Sequence, residues 1–384
     1  MSRTKVNHDN ETETKEEIIL HELLSKINDP DDELLYQIRT QSTHSPAKWA
    51  TFTEYLPTDI RLIFEFRILP PHQKITKMPK THVSKSLVIE APAHRVFSII
   101  NDFHHWSIWS PWLVAEPDAK VTVRDDGKFY EWEGNRTGAG EMSIVKEDPE
   151  KTVDYNLTFL KPWKSTAKVR FICQPDGQKT RVTWTMDSSL PFFMFWMKKS
   201  MEAFIGADFE RGLTMLKEYV EKGKVNSKLE FKGTSTHSGG KYFGIKRDTT
   251  IANLKSMEAD FAKIGEFVKT NNIKPSSPLF SMYHKWDIVK GQVSYTAGFP
   301  VEEIPDNLPT GFVTGEIPAS KIYTLRHIGS YQHLGNAWTT MMMMQRNKEF
   351  KTRKDIHPFE VYMNMPGEVA EEELITDIVF AVKD

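Results

Sequence analysis

The sequence has almost no cysteine: its 384 residues include one, Cys173. No disulfide can form within the chain, and a zinc site built on several cysteines is excluded. Cys173 ends an alternating apolar segment, Val169–Cys173, so we expect it to pack in a core rather than to act as a nucleophile. A reducing cytoplasm is the expected setting.

Long hydrophobic runs and an excess of one charge are also missing. No stretch of 18 apolar residues occurs, so we expect no membrane-spanning helix. The first residues soon become acidic and fit neither a secretion signal nor a transit peptide, which again favours a cytoplasmic protein. Lys and Arg number 50 against 52 Asp and Glu. This balance argues against direct binding of nucleic acid, which usually needs a basic face.

Several enzyme motifs are absent as well. There is no Gly-x-Ser-x-Gly elbow, and His21-Glu22 lacks the second histidine of a zinc helix. Gly138-Ala139-Gly140 lacks the third glycine of a dinucleotide turn. His104-His105 could supply a base, but the sequence offers no obvious carboxylate partner. We therefore expect neither a metal nor a cofactor.

The length predicts two domains and an extension, and the 39% hydrophobic and 27% charged content is that of a folded protein. Residues 1–80 read as a mostly helical N-terminal extension with a basic linker, through which a protein partner could dock. Residues 81–223 and 224–384 are the two predicted domains. The Gly-, Ser- and Lys-rich segment 223–240 is interpreted as the connection between them.

The first domain reads as antiparallel strands followed by one long helix. Hairpin signals occur at Asp125-Asp126-Gly127 and Pro175-Asp176-Gly177, and Pro191 opens a helix predicted to reach about Glu221. Three tryptophans, Trp106, Trp109 and Trp112, lie within seven residues.

This order of strand, Pro-initiated helix, tryptophan-rich segment, strands and closing helix resembles the START/polyketide-cyclase superfamily, also called SRPBCC. The resemblance implies a helix-grip fold, in which an antiparallel sheet curves around the C-terminal helix. It also implies a cavity for a small hydrophobic molecule. Rings that could line it are Trp106, Trp109, Trp132 and Phe209, and a packed core is the alternative interpretation.

The C-terminal third repeats itself after about 80 positions. Lys241-Tyr242-Phe243 matches Lys321-Ile322-Tyr323, and Ser277-Pro278-Leu279 matches His357-Pro358-Phe359. A strand-helix-strand-strand unit that occurs twice predicts a pseudo-two-fold object with a central cleft. At this spacing Phe280 is the counterpart of Glu360. The overall prediction is an α+β protein.

The same region resembles the GyrI-like small-molecule-binding domain, which also serves as the effector domain of multidrug-sensing transcription activators. The matching residues are Tyr242-Phe243-Gly244, His327–Tyr331 with Ala337-Trp338, and Pro358–Pro366. The resemblance implies that Glu360 faces the cleft and meets cationic or polar aromatic ligands, with Tyr362 beside it. A carboxylate among rings should have a raised pKa, and a bound cation should restore its ionised form. The other predicted ligand-binding residues are Trp338, Tyr242, Tyr323 and Trp286.

Three functions remain open from the sequence. The leading hypothesis is a protein that binds a small hydrophobic or cationic aromatic molecule, for sensing or sequestration. The second is a hydrolase of electrophilic toxic compounds, with Glu360 as general base and Tyr362 as acid. The third is a scaffold whose cores are filled and which binds no ligand.

Overall fold

A computed structural model describes residues 79–162, 164–190 and 192–383. The helical extension expected at the N-terminus and most of its basic linker lie outside the described residues. Both sheets below belong to one compact unit, residues 78–384.

The first half is a seven-stranded antiparallel sheet crossed by one long helix. The strands are β1 Lys80–Ile89, β2 Lys120–Val123, β3 Phe129–Gly134, β4 Gly138–Asp148, β5 Thr152–Lys161, β6 Ser165–Asp176 and β7 Lys179–Ser189. The helices are α1 Ala93–Ile100, α2 Trp106–Trp109 and α3 Lys198–Lys222. The strand order is β1-β7-β6-β5-β4-β3-β2.

These strands form where apolar and polar residues alternate. In β7 the even-numbered positions from Thr180 to Met186 are buried and their neighbours are more exposed, so one face packs against α3. The helix begins later than Pro191 because Phe192–Met197 adopt a 3-10 turn first. Gly212 lets α3 approach the sheet closely: a Cβ atom there would lie 2.7 Å from the Trp184 ring.

The second half is an eight-stranded antiparallel sheet with two helices. The strands are β8 Ser227–His237, β9 Gly240–Thr250, β10 Phe280–Asp287, β11 Gln292–Val301, β12 Val313–Ile317, β13 Ser320–Gly329, β14 Phe359–Tyr362 and β15 Ile375–Ala381. The helices are α4 Ser256–Thr270 and α5 Leu334–Arg346. The order is β12-β9-β11-β10-β14-β15-β13-β8.

The interpretation of 223–240 as a connecting segment is wrong for most of its length. Residues Ser227–His237 form β8, which pairs with β13 along its whole length. The strand lies at the sheet edge and has few buried side chains, so it lacks the apolar alternation by which strands are recognised. Its backbone pairing with β13, which the composition does not reveal, makes it a strand.

The predicted duplication is present as β9-α4-β10-β11 followed by β13-α5-β14-β15. Within each repeat the first strand pairs with the last, and the last pairs with the middle one. The two middle strands, β10 and β14, pair with each other and join the repeats at the centre of the sheet.

Candidate functional site

The centre of the second sheet is the seam between β10 and β14, where Ser281 is paired with Glu360. The seam is two-fold symmetric in its hydrogen bonds. The Tyr283 amide donates to the Pro358 carbonyl at 3.0 Å, and the Tyr362 amide donates to the Leu279 carbonyl at 2.9 Å. The pseudo-axis therefore passes through the Ser281–Glu360 pair.

This register corrects the sequence alignment of the repeats. The counterpart of Glu360 is Ser281, and the counterpart of Phe359 is Phe280, so the offset in this strand is 79 positions rather than 80. Phe280 and Phe359 lie together in one apolar cluster on the opposite face of the sheet. With either alignment, one carboxylate lies near the axis and a neutral side chain takes its place in the other repeat.

Glu360 is buried, with 4% of its surface exposed, and neutral donors hold both of its oxygens. The Trp338 indole on α5 donates to Oε1 at 2.5 Å, and the Tyr362 hydroxyl donates to Oε2 at 2.7 Å. The Tyr283 hydroxyl interacts with the same carboxylate. Tyr283 and Tyr362 occupy equivalent positions of the two repeats, so one tyrosine from each repeat flanks the acid.

Ser281 and α4 complete the polar centre. The Tyr362 hydroxyl lies 2.8 Å from Ser281 Oγ, which in turn lies 3.0 Å from Met257 Sδ. A hydroxyl has one proton, so when Tyr362 donates to the carboxylate it must accept from Ser281. Phe261 and Tyr331 contact the Tyr362 ring, at 5.7 and 5.9 Å between centroids.

Burial raises the pKa of Glu360, and the hydrogen bonds from Trp338, Tyr362 and Tyr283 offset only part of that effect. Within the described part of the chain, no lysine, arginine or histidine forms an ion pair with it. The site thus holds a buried acid that lacks a counter-ion of its own.

Three other buried carboxylates show what Glu360 lacks. Asp260 accepts from the Arg247 guanidinium and from the Tyr295 hydroxyl, which outweigh the effect of burial and lower the pKa of Asp260. Glu218 has backbone, histidine and lysine donors, and Glu116 accepts from three consecutive backbone amides, at residues 135–137. Each of these three carboxylates is compensated by a cation or by peptide dipoles.

The aromatic side chains form a path from the carboxylate towards solvent. The Trp338 ring meets Tyr283 edge-on at 5.1 Å, and Tyr283 meets Trp286 at 5.7 Å. Trp286 is 44% exposed and lies at the outer end of this path. In this structure the rings close over Glu360, so the expected cleft is filled by its own side chains. A ligand would reach the acid only if a ring moved.

Two predicted ligand-binding residues lie elsewhere. Tyr242 packs on Phe280, at 5.1 Å between ring centroids, on the sheet face opposite to Glu360. Tyr323 stacks on Phe350 at 4.9 Å, and its ring contacts lead to Trp338 through Phe350 and Phe380. The strand register decides the placement of Tyr242, because it sets which alternate side chains share a face. Tyr323 shares the face of Glu360 but lies two strands away, on the far side of β15.

The predicted lining of the first domain belongs to a packed aromatic core. Trp106 and Trp109 contact each other at 4.5 Å, and Phe209 on α3 stacks on Trp184 at 4.0 Å. Trp132 stacks on Tyr130 at 5.2 Å. The indole nitrogens of Trp109 and Trp184 are buried without a hydrogen-bond partner. A second ligand cavity therefore stays a prediction, and these rings occupy much of the space it would need.

Two smaller expectations, on Cys173 and on His104, meet a definite outcome. Cys173 is buried, and burial raises the pKa of its thiol to about 12, as suits a packing residue. His104 does have a carboxylate partner, because its Nδ1 lies 2.7 Å from Asp102 Oδ1 in an exposed turn. Across the described ranges, no three His, Cys, Asp or Glu side chains converge as a metal site would require.

Ser281 and Met257 are parts of the site that were not among the predicted residues. Ser281 could have been found from the repeat if one residue had been removed from the alignment before β10. Met257 has no such signal, since a methionine on a helix is ordinarily a packing residue.

Comparison with protein families agrees with this architecture. Residues 80–221 match the family described as polyketide cyclase/dehydrase and lipid transport. Residues 241–383 match the GyrI-like small molecule binding domain. The chain thus carries a polyketide-cyclase-type domain followed by a GyrI-like domain, called below the first and second domains. Both families are associated with small-molecule binding. A search of curated proteins gave no match.

Solved structures resemble parts of the chain. Protein MLL2253 from Mesorhizobium loti is 13% identical, with 38% of this chain and 99% of that one covered and a TM-score of 0.29. Protein CV1439 from Chromobacterium violaceum is 17% identical, with coverages of 37% and 98% and a TM-score of 0.28. Protein SAV2435 bound to tetraphenylphosphonium is 15% identical, with coverages of 40% and 94% and a TM-score of 0.32. Among the helices described, none is long and apolar enough to cross a membrane.

Proposed function

We propose that the second domain binds small aromatic cations and that Glu360 is their counter-ion. The observation that carries the proposal is the contrast among the four buried carboxylates of the described chain. Three have charged or backbone partners, whereas Glu360 has only the neutral side chains of Trp338, Tyr362 and Tyr283. A buried carboxylate is strongly disfavoured without a cation, and a bound ligand would supply one.

The surrounding rings favour an aromatic cation over a small inorganic one. Aromatic faces attract cations, and flat or propeller-shaped ligands bury apolar surface against them. To reach Glu360 Oε1, the ligand has to displace the Trp338 indole. Its positive charge is then attracted to the same oxygen. The role we propose is sensing or sequestration in the cytoplasm, with a partner molecule supplying any regulatory output.

The test uses two probes of matched shape and opposite charge, tetraphenylphosphonium and tetraphenylborate. Isothermal titration calorimetry on the full chain should show binding of the cation and much weaker binding of the anion. Glu360→Gln should remove the difference, because the amide keeps the volume and loses the charge. Equal binding of the two ions by the wild type would mean an apolar surface without a counter-ion. Binding of neither would favour a scaffold with filled cores.

A hydrolase is the second candidate, and the contact between Tyr362 and Glu360 supports it. A carboxyl of raised pKa in contact with a hydroxyl can act as a base and acid pair. Glu360 would take a proton from water as the water oxygen attacks an electrophilic carbon. Tyr362 would protonate the oxygen or nitrogen whose bond to that carbon breaks. The proton on Glu360 would then return to Tyr362, so that one water is added overall. Mass spectrometry of an epoxide substrate distinguishes the two candidates: turnover that Tyr362→Phe abolishes would indicate the hydrolase.

A further inference from the structure

The first and second domains meet where α3 packs against the beginning of α5. Glu218 on α3 and His333, in the turn before α5, are both buried, and His333 Nε2 lies 2.7 Å from Glu218 Oε2. Burial lowers the pKa of His333, so at neutral pH the imidazole is neutral and donates its Nε2–H to the carboxylate. Lys222 and the Asn226 amide complete the shell of Glu218 at 3.1 and 2.9 Å.

A second contact fixes the first turn of α5. Arg211 on α3 donates to Asn336 Oδ1 at 2.8 Å, and Asn336 Nδ2 donates to Ser227 Oγ at 3.1 Å. Asn336 is 1% exposed, so these bonds are shielded from water. Gly335 allows this approach, because a Cβ atom there would lie 3.1 Å from Arg211 Cδ.

The helix held in this way also carries Trp338. Trp338 follows Asn336 by two residues, and its indole donates to Glu360. The residues that meet Glu360 from β10 and β14 are held by the strand ladder, whereas Trp338 comes from a helix that packs on the sheet. An α-helix moves as a rigid element over such a short span. The contacts from α3, together with the packing of α5 on β8, β13 and β15, therefore set where the Trp338 ring lies.

We infer that Glu218 and Arg211 of the first domain are positioning residues for the Glu360 site of the second domain. They hold α5 so that the Trp338 indole lies on Glu360, which is the closed arrangement of the site. This inference rests on the proposed function in one respect: a cation must replace the indole at Glu360. Loosening the contact between α3 and α5 should raise the population of the open arrangement, and the apparent affinity rises with that population.

The experiment compares Glu218→Gln with Glu349→Gln, both in the full-length protein. Glu349 also forms an ion pair between the domains, with both oxygens on Arg136 at 2.6 and 2.8 Å, but it lies beyond the C-terminal end of α5. Each change replaces one carboxylate by an amide at the domain contact. Arg211→Met is the second test variant. If Glu218→Gln does not fold, Arg211→Met still tests whether the contact between α3 and α5 positions Trp338.

Two readouts separate positioning from mere stability. The first is the 19F spectrum of protein labelled with 5-fluorotryptophan, in which the Trp338 signal is assigned as the one lost in Trp338→Phe. The second is titration with tetraphenylphosphonium. Glu218→Gln and Arg211→Met should shift the Trp338 signal under native conditions and tighten binding about threefold or more. Glu349→Gln should do neither.

An unshifted Trp338 signal in both test variants would overturn the inference. If the Trp338 signal shifts but tetraphenylphosphonium binds more weakly, the arrangement held by Glu218 and Arg211 is not the closed one, and that part of the inference is wrong. If the signal shifts as expected but not even the wild type binds the cation, the proposed function fails while the positioning role stands. The spectrum needs no ligand, so the two failures can be told apart.

Discussion

Replacing Glu360 by glutamine should stabilise the protein at neutral pH, contrary to what most substitutions of buried polar residues do. Glutamine keeps the side-chain volume, and its oxygen can still accept from the Trp338 indole. The change removes a buried charge that has no cationic partner among the described residues. We expect a gain on the order of 1–2 kcal/mol, which is less than the full penalty for an uncompensated ion because neutral donors already solvate this one. The melting temperature should rise by roughly 2–6 °C.

The gain should depend on pH in a definite direction. Burial raises the folded-state pKa of Glu360 above its ordinary value of 4.5. The wild type therefore loses stability as pH rises from that value through the folded pKa, because the folded state resists ionisation more than the unfolded chain does. Below the ordinary value both states are protonated. The advantage of glutamine should be present at pH 7 and should vanish near pH 4.

Asp260→Asn is the matched control, a second carboxylate-to-amide change at a buried residue of the same domain, on α4. Asp260 is paired with Arg247, and its pKa is lowered, so its contribution is present above 3.8 and is lost as pH falls through the folded value. Removing it takes the negative charge away from the Arg247 guanidinium, whose side chain is 35% exposed, and should cost about 1–3 kcal/mol at pH 7.

The assay is urea denaturation followed by circular dichroism at several pH values, with wild type and both variants measured side by side. Opposite signs for the two variants at pH 7 are the expected result. A Glu360→Gln variant that is less stable than the wild type by a similar amount at every pH would refute the reasoning. It would show that the carboxylate is held by its donors as a structural group.

Three further substitutions each test a single contact. Trp338→Phe keeps a ring but removes the indole donor, so tetraphenylphosphonium should bind about tenfold more tightly by calorimetry; weaker binding would mean that the indole is part of the ligand contact. Gly212→Ala places a Cβ 2.7 Å from the Trp184 ring and should cost about 1–3 kcal/mol in urea denaturation, and no loss would show that the core can yield there. Glu116→Gln weakens the acceptor of three loop amides and should cost about 1–3 kcal/mol at pH 7. Burial works to raise the pKa of Glu116, but the loop donors lower it below 4.5. The loss of stability in Glu116→Gln should therefore fade as pH falls through the folded-state pKa of Glu116. An equal loss at every pH would contradict this prediction.

The candidate site was predicted in part, and the structure shows it closed by its own rings. The Glu-x-Tyr strand and the tryptophan on the second-repeat helix were predicted from the resemblance to the GyrI-like domain, and they meet at hydrogen-bond distance. Tyr242 was grouped with them because it is aromatic and lies in a segment that resembles the GyrI-like domain. Aromatic character does not determine the face of a sheet on which a ring lies, since that depends on the register between strands.

The contact between the domains had no signal in the sequence. Glu218 reads as a solvent-facing residue near the end of a long helix, and His333 as part of a polar turn. Their burial depends on how α3 and α5 pack against each other, which involves residues 115 positions apart. Local composition contains no information about such a pairing.

Alternation, turn residues and internal repetition determined by themselves most of the strands, the long helix and the two repeats of the second domain, and the resemblance to the GyrI-like domain added the acid at their centre. Alternation and turn residues are local patterns, and the repeat is a comparison of one chain segment with another. Hydrophobic residues must be buried whatever the segment packs against, so these patterns can be read without the tertiary structure. Tertiary structure alone decided that Ser281 faces Glu360, that no cation among the described residues reaches that acid, and that its indole donor is held from the neighbouring domain. Each of these depends on register and packing between distant segments, where a shift of one residue moves a side chain to the other face.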